Sequence, residues 1–116
     1  MTKENIENEN FVFIYDLMER RVHYNAMDHG WWDEPRNDGE MHCLIHSEVS
    51  EALEALRHGN GPSEHIPKFS GVEEELADVV IRIMDLASAR GWNVPGAIVA
   101  KHEFNKTRPH EHGKKF

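Results

Sequence analysis

Apolar residues recur along this chain with the period of a helix, and nowhere do they alternate convincingly as in a strand. From about Asn10 to Ala26, Phe11, Ile14, Tyr15, Met18 and Val22 fall on one narrow face, the core-facing stripe of an amphipathic helix. A stretch dense in Gly, Pro, Asp and Asn, DHGWWDEPRNDGE, then breaks the pattern. It resumes from about Glu40 to Arg57, where Met41, Leu44, Ile45, Val49, Ala52, Leu53 and Leu56 make a second stripe. The segment GNGPSEHIPKFSG ends that helix. Ser70 followed by Glu73 has the spacing of a capping box and opens a third helix, which runs to about Arg90 and stops at Gly91. Asn93 and Pro95 suit the N-cap and first turn of a fourth helix, which should end before Pro109. The pattern predicts an all-α four-helix bundle, one domain over residues 1–116 with a basic tail from about residue 109.

With 116 residues, of which 39% are hydrophobic and 29% charged, such a domain can bury only a modest core, and a second subunit would help it. No run approaches the ~18–20 apolar residues of a membrane span, and the opening MTKENIENEN lacks the apolar stretch of a signal peptide. The single cysteine, Cys43, has no partner for a disulfide or a CxxC zinc site. A cytoplasmic protein without a membrane partner is therefore expected. A net charge of -8 disfavours broad phosphate-backbone binding, so no stable nucleic-acid partner is expected either, an RNA-binding module using the basic end included. The charge is uneven: Lys101, Lys106, Arg108, Lys114 and Lys115 face only Glu103 and Glu111 over residues 101–116. An acidic body with a basic end suits a metal ion plus a phosphorylated small molecule, although a disordered basic tail has the same composition.

The carboxylates sharpen this picture. Glu48 falls inside the second apolar stripe, between Leu44 and Met41 in projection, and Glu51 sits on its border. On the third helix Glu75 lies at the edge of the stripe of Val72, Leu76, Val79, Val80, Ile83 and Leu86, with Asp78 one turn further along that flank. A carboxylate aimed into a bundle is costly unless a metal or cation compensates its desolvation. Two such pairs on two helices can converge, and their oxygen ligands suit Mg²⁺ or Mn²⁺ rather than zinc. Taken singly, E-x-x-E pairs are common on solvated helices. Glu73 and Glu74 favour the positive start of their helix, Glu54 points to solvent, and Arg82 and Asp85 continue the Asp78 flank and read as a salt-bridged surface. The Glu-x-x-His spacing of di-iron bundles is absent.

On the fourth helix Lys101, Asn105 and Arg108 share one stripe, a geometry for gripping polyphosphate or simply for a solvated last turn. Lys114 and Lys115 are weaker candidates for the same grip, since tails are often mobile. Trp31 and Trp32 either stack on a base or pack on the end of the bundle. His42 and His46 are i, i+4 but lack the glutamate of H-E-x-x-H. His110 and His112 read as hydrated tail, and Cys43 as a small buried or interface residue.

At these residues the chain resembles the MazG-like all-α nucleoside triphosphate pyrophosphohydrolases. Their motif, E-E-x-x-E followed after a spacer by E-x-x-D, is matched by SEVSE at Ser47 to Glu51 and ELAD at Glu75 to Asp78. Ser47 stands where the family usually has its first glutamate. The ending KHEFNKTRPHEHGKKF resembles the Lys…Asn…Arg…HGKK ending of small, often phage-encoded members, so the resemblance covers about residues 31 to 116. It implies Glu48, Glu51, Glu75 and Asp78 as Mg²⁺ ligands (Mn²⁺ substituting), with Glu48 and Glu51 catalytic. It also implies hydrolysis of a nucleoside triphosphate, expected to be a deoxynucleotide, to monophosphate and pyrophosphate, by a homodimer or homotetramer, in the host cytoplasm if phage-encoded. The alternative is a non-catalytic helical interaction module whose acidic face binds a divalent ion without turnover.

Overall fold

A computed structural model of the chain describes residues 1–115. Among them are four α-helices and no strand: α1 (Lys3–Asp28), α2 (Asp38–Arg57), α3 (Gly71–Arg90) and α4 (Val94–Lys106), followed by a 3-10 turn at His110–Gly113. Each helix begins at a side chain that satisfies a free backbone N–H. Thr2 caps α1 and Asn37 caps α2, accepting from Asn5 and Glu40 respectively. At α3 the Ser70 hydroxyl accepts from the Glu73 amide while the Glu73 carboxylate accepts from the Ser70 amide, the reciprocal box the sequence predicts. Asn93 caps α4 and Pro95 stands in its first turn. Gly91, at φ 71°, ends α3 in the left-handed conformation that glycine adopts without strain.

α1 starts at Lys3, seven residues before the Asn10 start that its apolar pattern predicts. The added turns are polar, and they are tied down by Glu4, whose carboxylate accepts from Lys106 Nζ of α4 at 2.6 Å. No helix among the described residues is long and apolar enough to cross a membrane.

α3 is the central element: it packs against both α2 and α1, and α4 packs chiefly on α1. Four consecutive α3 residues, Met84 to Ala87, are buried, so the helix is covered all round at that turn, while Ile81 and Arg90 on either side of it are exposed. Met41 and Ala52 of α2 complete the small core, and Pro95 is fully buried. The expected stripes are only partly covered. Phe11, Ile14 and Met18 of α1, Val49, Leu53 and Leu56 of α2, and Leu76 and Val80 of α3 all remain exposed, Ile14 at 61%. On α1 the covered side keeps Tyr15 and Val22 of the expected stripe and adds Val12 and Glu19. The stripes are wider than one neighbouring helix can shield, so a single chain closes only half of each. The radius of gyration, 16.7 Å, accordingly exceeds the about 13 Å of a compact chain this long.

Candidate functional site

The packing of α2 on α3 brings Glu48, Glu51 and Glu75 together, with one carboxylate oxygen of each within 4.8 Å of the others. Glu48 is buried (7% exposed), Glu75 half-buried and Glu51 exposed. Arg82, two turns beyond Glu75 on α3, donates from Nε to Glu48 Oε1 at 2.9 Å. The second oxygen of Glu48, Oε2, and Oε2 of Glu75 are buried without a hydrogen-bond partner among the described residues. Two orphaned carboxylate oxygens in one cluster are an expensive arrangement for a core, and hard oxygen donors are what Mg²⁺ and Mn²⁺ take. The residues present therefore fit a divalent cation.

Protonation follows the same geometry. Burial pushes the Glu75 carboxyl up to about 7, and the close approach and charge of Glu48 and Glu51 add to the effect. Burial is the largest influence on Glu48 and acts to raise it, but the Arg82 guanidinium bonded to Oε1 and the neighbouring Glu75 and Glu51 carboxyls together outweigh this and hold it below the usual carboxylate range. Asp78 is pushed up by burial and by the charges of Glu48 and Glu74.

Asp78 lies outside the three-carboxylate cluster and lines a neighbouring cleft of about 490 Å³ together with Glu48. Arg21 and Asn25 of α1, Trp31, and Arg82 and Asp85 of α3 also line this cleft. The two tryptophans sit in different surroundings. Trp31 is 45% exposed on the cleft, with the Arg36 and Arg82 guanidiniums each 5.5 Å from its ring centroid. Trp32 packs inward, and its indole N–H donates to Asp85 Oδ1 at 2.8 Å.

Arg82 and Asp85 depart from the expected salt-bridged surface. Asp85 is buried, accepting from Trp32 and from His23 Nδ1 at 2.7 Å, while Arg82 bonds a cluster carboxylate on α2. The available signal was spacing: Arg82 follows Asp78 by four residues and Asp85 follows Arg82 by three, which keeps all of them on the flank that begins at Glu75. Glu74 also does more than favour a helix start. It accepts from the Ser63 hydroxyl and from His65 Nδ1, each at 2.7 Å, and these bonds hold its carboxyl below the usual range. The 58–70 loop is thereby pinned to the first turn of α3, one residue from Glu75.

The basic residues of the C-terminal region are not gathered around the cluster within one chain. Lys101 and Arg108 lie over the Phe104 ring, at 4.6 and 5.6 Å, and Asn105 Oδ1 is buried without a hydrogen-bond partner among the described residues. None of the three lines the cleft. Lys114 and Lys115 are exposed beyond the 3-10 turn, and the last residue of the basic tail, Phe116, lies outside the described residues. Ser47 donates its hydroxyl to Leu44 O of its own helix at 2.6 Å. His42 bonds Asp38 O, His46 is exposed, and Cys43 is exposed rather than buried in this chain. Comparison with protein-family models, curated proteins and solved structures finds no match for the chain.

Proposed function

We propose that the chain is a divalent-cation-dependent nucleoside triphosphate pyrophosphohydrolase. The observation that carries this reading is the pair of buried, unpartnered oxygens, Glu48 Oε2 and Glu75 Oε2, in a three-carboxylate cluster beside an aromatic-rimmed cleft. The likeness of SEVSE and ELAD to the MazG-like motif points the same way. Glu48, Glu51 and Glu75 would hold the cation, with Asp78 at the edge of the cleft. Bound Mg²⁺ or Mn²⁺ supplies positive charge that draws phosphate oxygens and makes water a better acid.

The reaction is attack of water on the α-phosphorus, with cleavage of the bond to the bridging oxygen and departure of pyrophosphate. Arg82 fixes Glu48 in its charged form, ready to bind. Glu51, the exposed member of the cluster, is placed to orient the water or take its proton. Trp31 offers its exposed indole surface on the cleft to a base, and Arg21 and Arg82 offer positive charge for phosphates. The exposed stripes of α1, α2 and α3 are the faces a second copy would cover, and through such a contact Lys101, Asn105 and Arg108 could reach the phosphates of a neighbouring cleft.

Anion-exchange chromatography of products, after incubation with each common NTP and dNTP and Mg²⁺ or Mn²⁺, tests the reading. Monophosphate plus pyrophosphate is the expected result, abolished by Glu48→Gln in a folded protein. Diphosphate plus orthophosphate would overturn the site of attack. No turnover of any of them would favour an ion-binding module without catalysis.

A further inference from the structure

Among the described residues the Arg82 guanidinium touches the acidic cluster with one nitrogen only. Nε is bonded to Glu48 Oε1, whereas neither Nη makes a hydrogen bond to the protein. The side chain is a quarter exposed and lines the same cleft as Trp31 and Asp78, with its Cζ 5.5 Å from the Trp31 ring. It also fixes which oxygen of Glu48 is free: Oε1 is occupied, and Oε2 is the orphan. A guanidinium is a planar fork of five donors, so it can bond a carboxylate along one edge and a phosphate along another.

We infer that Arg82 is a positioning residue that joins two halves of the proposed site, holding Glu48 through Nε so that Oε2 faces a cation while its Nη groups bind a phosphate oxygen of the ligand. This rests on the pyrophosphohydrolase reading, since both the cation and the phosphate come from it. Nothing in the sequence motif assigns Arg82 such a part. Partners that orient a metal-ligating side chain commonly carry tenfold or more of the metal affinity. Arg82 is well placed for that role because its own orientation is set by the Trp31 face.

The test uses the full chain, with Mn²⁺ alone and then inorganic pyrophosphate in the presence of saturating Mn²⁺ as probes. Mn²⁺ affinity is read by electron paramagnetic resonance, pyrophosphate affinity by calorimetry, and folding by circular dichroism. In Arg82→Gln, Mn²⁺ affinity should fall roughly tenfold and pyrophosphate affinity by at least as much. Arg82→Lys keeps the charge and guards against simple misfolding; it should recover folding while leaving pyrophosphate binding weak, because an ammonium lacks the second edge. Unchanged or tighter Mn²⁺ binding in folded Arg82→Gln would overturn the inference, as would full recovery of pyrophosphate binding by lysine. If the wild type turns over nucleotides and binds Mn²⁺ but the variants behave like it, the inference fails alone. If the wild type binds no Mn²⁺ and turns over nothing, the functional reading fails and takes the inference with it.

Discussion

At the scale of single residues, the site is defined by what Glu75 lacks. Its carboxyl sits near two other carboxylates, and burial together with those neighbours lifts it to about 7. A cation can bind fully only when that proton has left. Mn²⁺ affinity of the wild type should therefore climb from pH 5.5 to pH 7.5 and level off above, and a flat profile in a titration at several pH values would exclude the cluster as the binding site. The effect on the fold has a definite sign. The native state holds this proton more tightly than the unfolded chain, so the stability it lends the ion-free protein is complete below about 4.5. That contribution is lost as pH rises through 7, and saturating Mg²⁺ should restore stability above it. Thermal unfolding of the ion-free and ion-loaded protein at pH 5 and pH 8 measures both arms.

At the scale of the elements, the capping chemistry was legible in advance because it depends on neighbours in sequence. Ser70 with Glu73, Asn93 with Pro95 and Gly91 all act where the sequence pattern puts them. Removing the box with Ser70→Ala should lower stability by about 1 kcal/mol. Because Ser70 touches neither cluster nor cleft, Mn²⁺ affinity should stay near that of the wild type, and a matching loss of binding would show that α3 frays into the site. The roles of Arg82, Asp85 and Glu74 were not legible. Charges spaced three and four apart on a helix read as a surface pair unless one knows which face meets another helix. Here α2 and α1 both pack on α3, which turns that flank inward. The start of α1 was missed for the opposite reason, since Thr2 and Glu4 stabilise it by capping and a distant lysine rather than by an apolar stripe.

For the whole molecule, the sequence indicates four helices, three of them with apolar stripes, and the structure shows that one chain covers only part of those stripes. Phe13 is 63% exposed and Ile14, Leu53 and Leu56 stand open on other faces. Apolar surface of this extent is the mark of an interaction face. Sedimentation at micromolar concentration should give a dimer or larger species, and a stable monomer would leave these faces for a different partner. A pattern of hydrophobic residues records that a face is buried, not by which chain, so the sequence could set the helices but not the assembly.

The straight flank of α3 has one more consequence. Glu75, Asp78, Arg82 and Asp85 follow one another along a single helix, and the ten steps from first to last span about 15 Å. On the proposed reading the cation is held at the Glu75 end and the ring lies on Trp31, beside Arg82 and about 10 Å along the helix, so the helix acts as a ruler. A substrate long enough to touch both marks is held at two points. Each fragment left by cleavage reaches only one, and the same spacing that gathers the intact molecule lets its halves go.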